Sequence, residues 1–207
     1  AYATVVPVAL RGAGDLDALR PASAAADAVT RYFHDGRGNL VGQLDAEGYL
    51  TEYVYDEARN QRAVKVYALR LDAADPALGF NGLRTLAQAG AAQTTQRSYD
   101  AAGRLVVEVT PEGRVTRFSY DAQGRLLGTT SAAGTDEQRQ SLRRYDAFGN
   151  LIGELNAEGS ALYTSSMSAS ELDALYAQYG VRHSYDLLGR RIQSTDAAGF
   201  QTWYFHD

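Results

Sequence analysis

The sequence predicts a mainly β fold: an antiparallel meander of hairpins built from one recurring unit, with short helical insertions. Three observations predict it. A Tyr-Asp dipeptide recurs as Tyr55-Asp56, Tyr99-Asp100, Tyr120-Asp121, Tyr145-Asp146 and Tyr185-Asp186, with His34-Asp35 and His206-Asp207 in the same slot. Positions 34 and 55, 99 and 120, and 185 and 206 are each 21 apart, the sign of an internal repeat. Within each unit a tetrapeptide that opens on Asp, Asn, Ser or Thr and closes on Gly returns every 10 or 11 residues, as in Gly103, Gly113 and Gly124. The third observation is composition, since 14 Tyr and 20 Gly favour strands and tight turns.

The chain divides accordingly. Residues 1–31 read as an insertion or linker at the end of a preceding repeat, partly helical over the Ala-rich 15–28, which Pro21 interrupts. Residues 32–63 read as hairpins, with turns at 35–38 and 45–48 and a further turn at Asp56–Arg59 whose Gly is lost. Residues 64–98 form a partly helical insertion with a short helix over 83–90 stopping at Gly90. Residues 99–160 are hairpins again, with turns at 100–103, 110–113, 121–124, 131–134, 146–149 and 156–159. Residues 161–182 form a second helical insertion: Ser168 and Glu171 fit a capping box, Leu172, Leu175, Tyr176 and Tyr179 share a helical face, and Gly180 is the stop. Residues 183–207 are a hairpin with turns at 186–189 and 196–199, cut at Asp207 where another turn is due. With Ala1 as first residue, that points to a segment of a longer chain.

The turn chemistry follows from residue type. Asp at the first position accepts hydrogen bonds from its own backbone, and Gly at the fourth tolerates positive φ, giving a type I turn followed by a left-handed residue and a bulge. After Gly48, Gly113 and Gly199 the third residue is Thr51, Thr116 or Thr202, and the fifth is Tyr53, Phe118 or Tyr204. Third, fifth and seventh residues share one strand face, so stacked repeats predict ladders of Thr and aromatic side chains. The repeat-motif residues are Tyr55, Asp56, Tyr99, Asp100, Gly103, Arg104, Tyr120, Asp121, Gly124, Arg125, Tyr145, Asp146, Gly149, Asn150, Tyr185, Asp186, Gly189 and Arg190. The arginines after the turn Gly are expected to pair with acids on adjacent turns.

Composition excludes several classes. Net charge is −5 with no basic block, which argues against nucleic acid, and no apolar run is long enough for a membrane-spanning helix. With no cysteine there is no disulfide, thiolate metal site or Cys nucleophile. Lys65 is the single lysine, and no phosphate-binding Gly-Lys loop exists. His34 and His206 fill Tyr slots and read as structural, whereas His183 beside Ser184, Tyr185 and Asp186 lacks any nucleophile elbow. The Asp residues lack EF-hand spacing and are accounted for by turns. No catalytic, cofactor or metal residues are assigned, and the chain reads as a non-enzyme. Trp203, opposite Tyr204, is an aromatic that can stack on a sugar, though ladder packing explains the aromatic face better.

The units Tyr99-Asp100-Ala101-Ala102-Gly103-Arg104-Leu105, Tyr120-Asp121-Ala122-Gln123-Gly124-Arg125-Leu126 and Tyr145-Asp146-Ala147-Phe148-Gly149-Asn150-Leu151 resemble the YD-repeat (Rhs-repeat) family. Those around Asp35 and Tyr185 match nearly as well. The resemblance implies a sheet wound into a hollow shell around a toxic polypeptide, as in insecticidal toxin complexes and polymorphic Rhs toxins. It also implies an extracellular or bacterial cell-surface location. Partners would be neighbouring repeats and an encapsulated toxin, or surface glycans for a stalk or adhesin without cargo. Asp75-Pro76-Ala77-Leu78-Gly79 echoes that family's self-cleaving segment, but its spacing is wrong and its neighbours are missing.

Overall fold

The computed structural model describes residues 29–71 and 77–207. The expected helix within 15–28, and Asp75 and Pro76 of the echo, lie outside them. Among the described residues thirteen strands form one open antiparallel sheet in strict chain order. They are β1 (Arg31–His34), β2 (Leu40–Leu44), β3 (Leu50–Tyr55), β4 (Gln61–Tyr67), β5 (Ala92–Tyr99), β6 (Leu105–Val109) and β7 (Val115–Tyr120). Then follow β8 (Leu126–Ser131), β9 (Arg139–Tyr145), β10 (Leu151–Leu155), β11 (Gly180–Tyr185), β12 (Arg191–Thr195) and β13 (Gln201–Trp203). Helix α1 (Phe80–Ala87) joins β4 to β5, and α2 (Ala157–Leu162) with α3 (Ala169–Tyr179) joins β10 to β11. Every strand neighbours its predecessor, so the sheet grows by simple addition.

Type I turns with a bulge make the hairpins. Gly38, Gly103, Gly124, Gly149 and Gly189 each donate their N–H to the Asp carbonyl three residues back, at 3.0–3.2 Å. All five take positive φ. The register then slips by one residue just before the tyrosine, as between Ser119 and Tyr120. Arg59 keeps its turn despite losing glycine, with its N–H 3.1 Å from the Asp56 carbonyl and φ at 67°.

Two expected turns are absent. Strand β8 runs on to Ser131, paired with Arg139, and the loop turns at Ala132 instead, where the Thr135 N–H reaches the Ala132 carbonyl. At 156–159 the Gly159 N–H donates to Asn156 Oδ1 at 2.8 Å, not to the backbone carbonyl that takes it in the Asp turns, and the chain continues as helix α2. Gly159 there serves packing: a Cβ would sit 2.5 Å from the Tyr179 Cβ. The first helix begins at Phe80, earlier than its Leu83 start in sequence, because Gly79 is its extended N-cap. The capping box forms: the Glu171 N–H donates to Ser168 Oγ, and Glu171 Oε2 accepts the Ser168 N–H at 2.7 Å. Gly180 ends α3 in extended backbone, and its need for glycine is the Glu154 carbonyl 2.7 Å from where a Cβ would stand.

Following cross-strand partners from Leu50 to Leu155 keeps both on one face of the sheet. Both helical insertions cover that face. Under α1, Leu44, Leu50, Tyr67, Leu71, Leu83 and Ala87 are buried together. Under α3, Leu155, Leu175 and Tyr176 form the second core, with Leu142, Leu172 and Tyr179 against it. Glycine makes room for an aromatic at each: a Cβ on Gly42 would stand 2.4 Å from the Phe80 ring, and one on Gly153 2.6 Å from the Tyr176 ring. Beneath α1, the buried Glu52 accepts from Tyr67 Oη at 2.6 Å and pairs with Lys65 at 3.2 Å and Arg84 at 3.4 Å. Burial, then the bond to Glu52, pushes the Tyr67 phenol up to about 12.

A left-handed arginine is strained relative to glycine, by about 1 kcal/mol. Arg59→Gly is therefore expected to raise stability by about that amount, read as a higher urea midpoint at unchanged slope.

Candidate functional site: the joints between repeats

Each joint is the strand pair between one Tyr-Asp hairpin and the next: β2/β3, β4/β5, β6/β7, β8/β9, β10/β11 and β12/β13. On the turn side of each joint the ladder stops short. At β6/β7 pairing ends at Val107 and Arg117, leaving the carbonyl of Leu105 without a backbone partner on β7. The repeat tyrosine fills that gap. Tyr120 Oη donates to the Leu105 carbonyl at 2.8 Å, Tyr145 to Leu126 at 3.0 Å, Tyr185 to Leu151 at 2.9 Å and Tyr99 to Gln61 at 3.1 Å. His206 Nε2 takes the same place 2.7 Å from the Arg191 carbonyl, which is why histidine can stand in the tyrosine slot.

The aspartate organises its own turn. Asp100 Oδ1 accepts the N–H groups of Ala102 and Arg104, both at 2.9 Å, while Oδ2 accepts Arg104 Nε at 2.7 Å. The same arginine then crosses the joint, donating Nη1 to the Asp121 carbonyl at 3.1 Å with its guanidinium 4.9 Å from the Tyr120 ring centre. Arg125 repeats this toward Asp146, at 3.1 Å, and Tyr145, at 4.7 Å. Arg190 reaches the Asp207 carbonyl at 3.4 Å. The arginines thus pair with the acid of their own turn and link to the backbone of the next, not with acids on adjacent turns as expected. The bulge places the side chain directly over its own Asp, closer than any neighbouring carboxylate. At Asp35, Asp56 and Asp146 an asparagine replaces arginine and donates Nδ2 to the carboxylate at 2.8–3.0 Å, too short to cross.

These bonds hold the carboxyls below the ordinary aspartate range. At Asp100 and Asp186 the following arginine's backbone N–H is the largest cause. At Asp35, Asp56 and Asp146 it is the asparagine side chain. At Asp121 desolvation is the largest influence and pushes upward, but Arg125 outweighs it.

Thr51 and Tyr53 lie on β3, Thr116 and Phe118 on β7, Thr202 on β13 and Tyr204 just beyond it. Three or more strands separate these sets, so they do not stack into a continuous ladder. The intervening equivalents are charged or polar: Arg97 pairs with Glu108 at 2.9 Å, Arg143 with Glu154 at 3.0 Å, and His183 Nδ1 meets Ser194 Oγ at 2.8 Å. Desolvation, then Arg191, lowers the His183 pKa, and its hydrogen-bond partner is Ser194 on the neighbouring strand, not Ser184 or Asp186. Among the described residues no three His, Asp or Glu side chains gather to hold a metal ion, and no helix is long and apolar enough to cross a membrane.

Residues 99–136, the most regular joints, match the RHS repeat family. That stretch carries the RHS repeat. Its fold is similar to that in the crystal structure of TcdB2-TccC3, with a TM-score of 0.59 and 22% identity over 83% of this chain and 7% of that one. A crystal structure of TcdB2-TccC3-Cdc42 gives 0.58 and 22%, over 83% and 7%. A Photorhabdus luminescens Tc holotoxin pore with a substituted TccC3 gives 0.57 and 21%, over 81% and 7%. The chain therefore spans about 7% of the length of these chains, and at such identity the likeness is one of fold. No curated protein sequence matches it.

Arg125→Gln removes an ion pair, a cross-joint hydrogen bond and a ring contact. It is expected to cost about 1–2 kcal/mol in urea unfolding, and Arg139→Gln, whose exposed guanidinium bonds the adjacent Gln138 carbonyl and links no turns, about zero. The depressed Asp carboxyls stabilise the fold fully above the unfolded value of 3.8, and that contribution is lost as pH falls through their lower folded values. The urea midpoint should accordingly be flat in pH above about 5 and drop steadily toward about pH 2. A midpoint that rises on acidification would reverse the sign.

Proposed function

We propose that this chain is a non-catalytic structural segment of a large secreted or surface-displayed bacterial protein, a wall section of an RHS-repeat shell that encloses a toxin or other polypeptide cargo. The observation that carries the reading is the joint: at five of the six, the repeat tyrosine or His206 bonds a carbonyl of the preceding hairpin beside the backbone ladder, in a geometry that repeats. Such a sheet extends indefinitely and exposes strand edges only at its ends. The likeness of fold to Tc toxin structures supports a shell in particular. The turn aspartates, the feature most open to a catalytic reading, are each engaged in holding a turn. Neighbouring repeats and the enclosed chain would be the partners, and the location extracellular or at the cell surface.

A second reading, a stalk or adhesin segment that binds surface carbohydrate without cargo, is favoured by the helices covering one face and by the exposed Trp203. Electron microscopy of the full-length protein containing this sequence separates the two. A hollow particle with density inside is expected for the shell, and a solid rod or filament would overturn it. Glycan-array binding lost on Trp203→Ala would then support the adhesin.

A further inference from the structure

The joints are not alike: where asparagine stands in place of arginine, at β2/β3 and β10/β11, a cleft lies between the turns. At β6/β7 and β8/β9 a guanidinium lies between successive turns, over the tyrosine ring and on the next Asp carbonyl. At β10/β11 the corresponding residue is Asn150, and its place between the turns is taken by a cleft of about 630 Å³. The acceptors that hold arginine elsewhere are present there without their donor. The Asp186 carbonyl accepts the Gly189 N–H and, among the described residues, nothing else. Asn150 gives Nδ2 to Asp146 and leaves its Oδ1 unbonded, facing Gly189. Among the described residues no cation lies over the Tyr185 ring, although Arg191 lies near its hydroxyl. Arg190 neutralises Asp186, while the Asp146 carboxylate has no ion pair among the described residues.

The walls differ from those of other joints as well. The turns on either side of this joint carry Ala147-Phe148 and Leu187-Leu188, where turns 100–103 and 121–124 carry Ala101-Ala102 and Ala122-Gln123. Phe148, Leu187 and Leu188 are 93%, 105% and 77% exposed. A type I turn does not require them, and together with Ile152 they give the cleft an apolar margin.

We propose that the cleft between turns 146–149 and 186–189 binds an arginine side chain presented by a partner polypeptide, its guanidinium occupying the position that Arg104 and Arg125 fill in the neighbouring joints. The guest's fork would donate to the Asp186 carbonyl and Asn150 Oδ1 and stack on Tyr185, and flanking apolar residues would lie on Phe148, Leu187 and Leu188. Arginine is the specific guest because the protein itself demonstrates that fit twice, in joints with the same Tyr-Asp-x-x-Gly frame. The inference holds whether the sheet encloses a cargo or not.

The test is binding of a fluorescein-labelled Leu-Arg-Leu peptide against the same peptide with citrulline, which keeps the shape and loses the charge. The arginine peptide is expected to bind at least about tenfold more tightly, and a difference under about threefold would overturn the proposal. Asn150→Arg supplies the guanidinium from within, so it should abolish peptide binding and raise Tm by a few degrees. Undiminished binding to that variant would place the peptide elsewhere and overturn the assignment. Should Asn150→Arg not fold, Phe148→Ser with Leu188→Ser, at exposed turn tips, must weaken the peptide at unchanged Tm, and unchanged affinity would likewise overturn it.

Discussion

The structure depends on one charge-assisted contact, the bond between a turn aspartate and the residue four positions later. One carboxylate oxygen gathers two backbone N–H groups and fixes the turn, while the other orients the arginine or asparagine. Exposed ion pairs contribute little when both side chains are free to wander. Here the bulge has already fixed the distance, so little further side-chain entropy is lost when the pair forms. The arginine arrives held at Nε with its remaining donors aimed at the next hairpin. Tyrosine completes the arrangement, because its hydroxyl reaches the carbonyl that the splayed strands leave without a backbone partner. Local turn chemistry and inter-repeat adhesion are thus one set of bonds.

Joints without arginine are held in another way. The insertions belong to β4/β5 and β10/β11, where the linking residues are Asn60 and Asn150. There α1 and α3 lay apolar side chains across the strands, with Phe80 over Gly42 and Tyr176 over Gly153. Arg144 adds an ion pair to Asp173 on α3 and a contact with the Tyr176 ring. The asparagine joint β2/β3 lies under the same core, through Leu44 and Leu50. Among the described residues no helix is inserted at an arginine joint. Polar links on one rim and helix-buried cores on one face are alternative solutions to the same need, since a sheet of short strands has little buried area per strand.

Much of this was legible in the sequence because its causes are local. The Tyr-Asp period, the Asp-x-x-Gly turns and the capping box at Ser168 each act within a few residues, so spacing alone located the hairpins and α3. Asn156 misled because asparagine opens a turn and caps a helix alike, and only the packing of Gly159 against Tyr179 decides for helix. Ser131 misled because pairing with Arg139 extends β8 through the position where the turn was expected. The signal for helix docking was present but unread: Leu-x-Gly-x-Leu recurs at 40–44 and 151–155, the two strands that receive an aromatic.

What the sequence by itself determined is the unit, a hairpin with its turn, bulge and strand faces, since those follow from backbone preference and hydrogen bonds between near neighbours. What only the tertiary structure decided is how units meet. The reach of Arg104 to Asp121, the tyrosine on a preceding carbonyl, the shared face of both helices and the vacant guanidinium place beside Asn150 all depend on distances across strands. A side chain's partner there is fixed by sheet register and splay, quantities that no single repeat contains.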